Sequence, residues 1–126
     1  MSELTEHTRQ VITAMYAAEK AGDTESLFAV IDDDVVIREP SFLPYGGVYS
    51  GSADVQRLFG VVAQTYDLSS MQVDRIAADG VHAFAFIRLS TADGRGEVDM
   101  VEVSTLRNGL VVEIAVYMHD AGSLIA

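Results

Sequence analysis

Cysteine is absent from the 126 residues, which excludes a disulfide framework, a thiolate metal site and a thiol nucleophile. Positive charge is scarce: 8 Lys and Arg stand against 19 Asp and Glu, a formal net charge of -11. Such a surface repels phosphate backbones and anionic headgroups, so no nucleic-acid or membrane partner is expected. Long apolar runs are missing too, and none approaches the ~20 residues that span a bilayer. The segment Met1 to Arg9 is polar and acidic, without a basic-then-apolar leader pattern. The histidines His7, His82 and His119 show neither HxH nor HxxxH spacing, so no metal site is expected. Neither phosphate-cradling glycine motif occurs, and no serine sits in a nucleophile-elbow context. These absences predict chemistry without metal or organic cofactor.

What is present is one domain's worth of chain, 49% apolar, long enough for a core without staples. The expectation is a single cytoplasmic domain over residues 1–126. Apolar residues at Leu4, Val11, Ile12, Met15 and Ala18 predict an amphipathic helix from Leu4 to Ala21, ended by Gly22. Asp23 caps a second, short helix predicted over Thr24 to Ile31. The run Asp32-Asp33-Asp34 is expected to stop it, and Val35 to Ile37 to form a strand. Residues 40–51 hold both prolines and the apolar side chains Phe42, Leu43, Tyr45, Val48 and Tyr49, as a loop packed on a scaffold would. Ser52 is expected to cap a third helix, Ala53 to Tyr66. The remainder reads as strands: Met71–Ala78, Val81–Thr91, Gly96–Arg107 and Leu110–His119. Asp79-Gly80, Asp93-Gly94 and Asn108-Gly109 separate them, the strongest short-range hairpin signals. Helices followed by hairpins predict an α+β fold.

Three constellations carry candidate chemistry. Glu39 precedes Pro40, which holds it in extended backbone and stiffens a possible general base. At the rim of an apolar pocket its pKa is expected to rise. A two-residue turn at Asp93-Gly94 sets Arg88 opposite Asp99 on one sheet face, with Phe84, Phe86, Val101 and Val103 beside them. That face is expected to line the pocket. Tyr45 and Tyr49 on the apolar loop are the preferred tyrosines for the same pocket, since a buried tyrosine wants a polar partner.

The order helix, AAEKAGD, short helix, DDDVVIREP, loop with YGGVYSG, helix and four meandering strands resembles the nuclear-transport-factor-2-like superfamily, in its SnoaL-like and ketosteroid-isomerase-like branches. The closing VEVSTLRNGLVVEIAVYMHD strengthens the resemblance, which covers nearly the whole chain. It implies a cone-shaped, curved antiparallel sheet wrapped around the long N-terminal helix, with two further helices. It also implies an apolar internal pocket for a hydrophobic small molecule, and a homodimer through the sheet's outer face. Glu39 stands where the steroid isomerases place their general-base aspartate before a proline. Their helix tyrosine falls on Met15, with Tyr16 one step round. Their protonated aspartic acid falls on Val103, with Glu102 expected on the opposite face. The epoxide-hydrolase branch activates water with a carboxylate–arginine–carboxylate set, which Glu39, Arg88 and Asp99 imitate. The expected catalytic residues are therefore Glu39, Arg88 and Asp99. The expected pocket lining is Met15, Tyr16, Tyr45, Tyr49, Phe59, Phe86, Val103 and Met118. The implied activity is cofactor-free acid–base chemistry of isomerase, cyclase or epoxide-hydrolase type, and the alternative is a non-catalytic binding protein of the same fold.

Overall fold

The structure is a computed structural model that describes residues 2–125. Helix α1 spans Glu3–Ala21. Its start is fixed by Ser2, whose side chain accepts from the Thr5 N–H, with Glu3 and Glu6 in the first turn facing the positive end of the helix dipole. Gly22 ends it at φ 71°, and its N–H reaches the carbonyls of Ala18 and Glu19. Thr5, Thr8, Ile12, Met15 and Ala18 form one buried stripe at helical spacing. At the N-terminal end the Thr8 hydroxyl donates to the Gly80 carbonyl (2.7 Å), and the Gly80 N–H donates to the Thr5 hydroxyl (2.9 Å). The helix is thus pinned to the tip of a hairpin.

Helix α2 (Thr24–Ala29) is capped by Asp23, which accepts from the Ser26 N–H. It stops earlier than expected, and the aspartate triplet belongs to strand β1 (Ile31–Glu39). There the register against the last strand slips between Ile31 and Val36. The triplet forms the resulting bulge, with the Asp34 N–H donating to the Asp32 carboxylate. Strand β2 (Gly47–Ser50), inside the segment expected to be loop, pairs antiparallel with β1. Helix α3 (Gly51–Thr65) starts one step before the predicted Ser52 cap. Its cap residue is Ser50, whose N–H donates to Asp54.

Strands β3 (Tyr66–Asp79), β4 (His82–Thr91), β5 (Glu97–Arg107) and β6 (Leu110–Asp120) form the predicted meander. The sheet order is β2-β1-β6-β5-β4-β3. Because β1 runs parallel to β6, the curved, unclosed sheet is mixed and not wholly antiparallel. Arg88 pairs with Asp99 and Ser90 with Glu97, as the turn arithmetic predicts. Asn108 and Gly109 both take positive φ, the geometry that an Asn-Gly hairpin turn requires. The core lies between α1 and the sheet's inner face, where Ala83, Ala85, Ile87 and Leu89 of β4 meet Val98 and Met100 of β5. Among the described residues no helix is long and apolar enough to cross a membrane.

Two glycines make contrasting tests. A Cβ on Gly46 would sit 2.2 Å from the Pro40 carbonyl oxygen, against backbone that has little room to yield. Gly46→Ala should destabilise by about 1–3 kcal/mol, read as a lower urea midpoint. Gly60, exposed inside α3, meets nothing within 4 Å, so Gly60→Ala should raise the midpoint by about 0.5–1 kcal/mol.

Candidate functional site

Along β5 the inner face of the sheet carries two polar residues, Glu102 and Ser104, among apolar side chains. Alternation puts Met100, Glu102 and Ser104 inward and Asp99, Val101 and Val103 outward. Glu102 meets α1 there: the Tyr16 hydroxyl donates to its Oε1 at 2.8 Å. One turn along the helix, Glu19 points into the same space, and Glu39 reaches it from the end of β1. These three carboxyls line a cavity of about 40 Å³ with Met15, Ile37, Tyr45, Phe59, Val62, Tyr66, Leu89, Met100 and Ile114. No lysine, arginine or histidine is among its lining residues.

Enclosure of three acids without a cation decides their ionisation. Burial, then Glu102, pushes Glu39 up to about 8. Burial, then the charges of Glu102 and Glu39, pushes Glu19 up to about 8 as well. Glu102 is also raised by burial, with the Tyr16 hydrogen bond opposing the rise. Desolvation disfavours the charged form and a neighbouring carboxylate adds repulsion, so Glu19 and Glu39 keep their protons toward neutral pH, and the three groups titrate as a linked set. Tyr16 is raised by burial and by Glu102.

A tyrosine pair completes the wall. The hydroxyls of Tyr45 and Tyr66 share a short hydrogen bond, with the rings edge to face at 6.3 Å. Burial, then that bond, raises Tyr45; burial pushes Tyr66 up to about 12. The Tyr49 hydroxyl donates to the Tyr45 carbonyl at 2.7 Å and so braces the loop that carries Tyr45. A second cavity of about 190 Å³ lies between α1, α2 and α3, lined by residues that include Ala18, Leu27, Val62, Ala63 and Leu68. It shares Glu19, Phe59 and Val62 with the carboxyl cavity. It is an apolar antechamber with Glu19 at its floor.

Of the expected site residues, Glu39, Met15, Tyr45 and Phe59 line the carboxyl cavity, and Tyr16 touches it through Glu102. Tyr49 is buried behind Tyr45 and lines a different hollow, near Arg57. Met118 pairs with Met100 on the inner face and packs on the core without lining the cavity. Arg88, Asp99, Phe86 and Val103 do not join Glu39. Their register is as expected, yet the face is the other one. Arg88 is half-exposed on the outer face, 3.1 Å from Asp99, 3.6 Å from Glu97 and 4.0 Å from Asp74. Phe86 lies beneath the Arg75 guanidinium, 4.3 Å from its ring centre. The reason is polarity: that face carries Arg88, Ser90, Glu97 and Asp99, and water solvates them at far less expense than a core would. The carboxylate–arginine–carboxylate set therefore does not form. Glu102 and Glu19, unforeseen, take its place.

A family model, the SnoaL-like domain, matches residues 12–114. The chain belongs to the SnoaL-like family. Solved structures agree on the fold. Bal32a, from a soil-derived mobile gene cassette, superposes with a TM-score of 0.82 at 18% identity, over 94% of this chain and 93% of its own. A candidate SnoaL-like polyketide cyclase from Jannaschia gives 0.81 at 14% identity, covering 94% and 90%. A candidate ketosteroid isomerase from Kribbella flavida gives 0.79 at 22% identity, covering 93% and 81%. No curated protein matches the chain in sequence.

The linked acids set a pH dependence of stability. Their folded-state pKa values lie above the ordinary value of 4.5, so the folded chain binds more protons than the unfolded one in between. Stability is therefore full below about 4.5 and falls as pH rises through about 8. The melting temperature should drop by roughly 5 °C or more between pH 5.5 and 8.5. Glu19→Gln, which stays neutral throughout, should flatten the drop in a thermal melt series.

Proposed function

We propose that this SnoaL-like protein is a small-molecule enzyme that moves protons within a hydrophobic substrate, without a cofactor, in the cavity of Glu19, Glu39 and Glu102. The observation that carries the reading is Glu39, enclosed in an apolar wall with its pKa near 8. A general base or acid works best with a pKa near the operating pH, and isolated surface glutamates do not have one. In its ionised form Glu39 removes a proton from carbon beside a substrate carbonyl. The hydroxyl pair of Tyr45 and Tyr66 has one proton left to donate to the enolate oxygen that develops. Glu39 then returns its proton elsewhere on the substrate, giving an isomer, or the enolate attacks a second carbonyl, giving a ring. Both outcomes belong to the chemistry named for structural relatives. Phe59, Val62, Leu89 and Ile114 hold the substrate and exclude water. The 40 Å³ of open space admits only a water or two, so substrate enters as Phe59 and Val62 give way toward the antechamber.

A second reading, a non-catalytic binding protein, draws on the absence of any hydrogen bond from the described residues to the Glu39 carboxyl, which leaves the base unaimed until a ligand arrives. The two readings part at Glu39→Gln, which keeps shape and removes basicity. Under the enzyme reading turnover falls ~10²-fold or more with ligand affinity largely kept. Tyr45→Phe should lower turnover by a similar ~10²-fold factor through the lost donor. Normal turnover by Glu39→Gln overturns the role of Glu39.

The same proposal includes a homodimer. The outer face of the sheet leaves Phe84 and Tyr117 exposed at 37% and 62%, beside half-buried Val101 and Val103. An antiparallel sheet facing water on one side should be polar there, and a second copy applied by two-fold symmetry covers these side chains. Light scattering at micromolar concentration should give twice the chain mass, and a monomer mass overturns it.

A further inference from the structure

We propose that Phe59 restricts this site to neutral carbonyl compounds whose apolar body is no larger than one substituted ring. The body lies in the antechamber, and the carbonyl reaches the carboxyl cavity. The inference rests on the catalytic reading above and adds the size and charge of the substrate.

Size follows from two volumes. The carboxyl cavity offers about 40 Å³, room for a carbonyl and the carbon beside it but not for a ring. The antechamber offers about 190 Å³, and an apolar cavity of ~150 Å³ holds one benzene. The two share Glu19, Phe59 and Val62, so a ketone in the antechamber meets the carboxyls across a single wall. The room there comes from small side chains, Ala18 on α1 and Ala63 on α3, with Leu27 of α2 and Leu68 of β3 as bulkier lining. Ala18 and Leu27 are buried members of the core, and a packed core does not retreat to admit a larger body.

Phe59 is the partition. Besides the carboxyl cavity and the antechamber it lines an outer cleft of about 550 Å³, bounded by Thr24 and Phe28 of α2 and Gln56 and Gly60 of α3. Its ring stands 5.6 Å from that of Phe28, inclined at 59°, a tilted contact of the kind aromatic pairs favour. The ring is thereby held between three hollows. A carbonyl needs a gap of a few atoms in the shared wall, whereas a fused ring system needs the partition gone.

Charge follows from the lining. The carboxyl cavity has three acids and no cation among its lining residues. A substrate carboxylate would add a fourth acid without a counter-charge. A substrate ammonium beside Glu39 would stabilise its anion and weaken it as a base. A neutral carbonyl avoids both, and its oxygen accepts the proton that the Tyr45–Tyr66 pair has left to donate.

The experiment sets the full chain against phenylacetone, progesterone and phenylacetate: a one-ring ketone, a four-ring ketone and a one-ring anion. Equilibrium dialysis gives the affinities, and proton NMR in deuterium oxide follows exchange at the carbon beside the phenylacetone carbonyl. In that exchange Glu39 takes the proton, the electron pair of the broken C–H bond becomes the enolate, and a deuteron from solvent-exchanged Glu39 returns to the same carbon. Phenylacetone should bind at least ~10-fold more tightly than either of the others, and its deuteration should exceed the rate in buffer. Phe59→Ala, which joins the antechamber to the outer cleft, should raise progesterone affinity ~10-fold while phenylacetone weakens. Progesterone binding to the unmodified protein as tightly as phenylacetone overturns the size limit, and phenylacetate doing so overturns the neutral charge. An unchanged preference in Phe59→Ala overturns the role of Phe59. Selective binding of phenylacetone without deuteration overturns the enzyme reading and leaves the size limit standing. Failure of all three to bind overturns both. The comparison in the unmodified protein needs no variant, and Phe59→Leu replaces Phe59→Ala should the latter fold poorly.

Discussion

Three carboxyl groups closed between a helix and a sheet, with no cation beside them, govern this structure. Such an arrangement is unstable for ions, since each charge loses hydration and repels the others. It becomes tolerable when acids hold protons, and burial beside Glu102 pushes Glu19 and Glu39 up to about 8. A protonated carboxyl is a hydrogen-bond donor as well as an acceptor. The wall beside them adds two hydroxyls, those of the Tyr45–Tyr66 pair.

Helix α1 makes this possible by being held at both ends and in the middle. Thr5 and Thr8 fasten its start to the β3–β4 turn, Tyr16 ties its middle to β5, and Gly22 turns the chain into α2, which roofs the antechamber. The side chains that anchor the helix and the one that reaches the cavity lie along one stripe. Ile12 and Met15 are core, and Glu19 continues the same stripe one turn later.

Much of the fold was legible in sequence because hairpin signals are local. The Arg88–Asp99 pairing followed from counting outward from Asp93-Gly94, and the structure keeps that register. The face could not be read the same way. Valines and phenylalanines on one side of β4 and β5 look like a core until the charges among them are counted. Ala83 and Ala85, small enough to sit beneath a crossing helix, mark the true inner face. That inversion hid Glu102 by sending it outward with Val103 inward. Glu19 was hidden differently, inside a polar helix end, although its spacing of four from Met15 places it on the buried stripe. Glu39 was visible because a proline follows it. The Asp32 to Asp34 bulge was not, because like charges read as a stop when the partner strand, β6, lies eighty residues away.

The same few residue types thus do opposite things on the two faces of one sheet. Outside, Arg88 among Asp74, Glu97 and Asp99 is half-exposed, and water and salt screen the charges. Inside, three acids with no base act at short range in a medium that screens poorly. A carboxylate beside an arginine loses the power to take a proton at neutral pH, because the anion is already stabilised. A carboxyl beside other carboxyls keeps it. Had Arg88 pointed inward, Glu39 would have been a better ion and a worse base. With that arginine on the outer face, the lining of the inner cavity holds no cation to lower the pKa of Glu39.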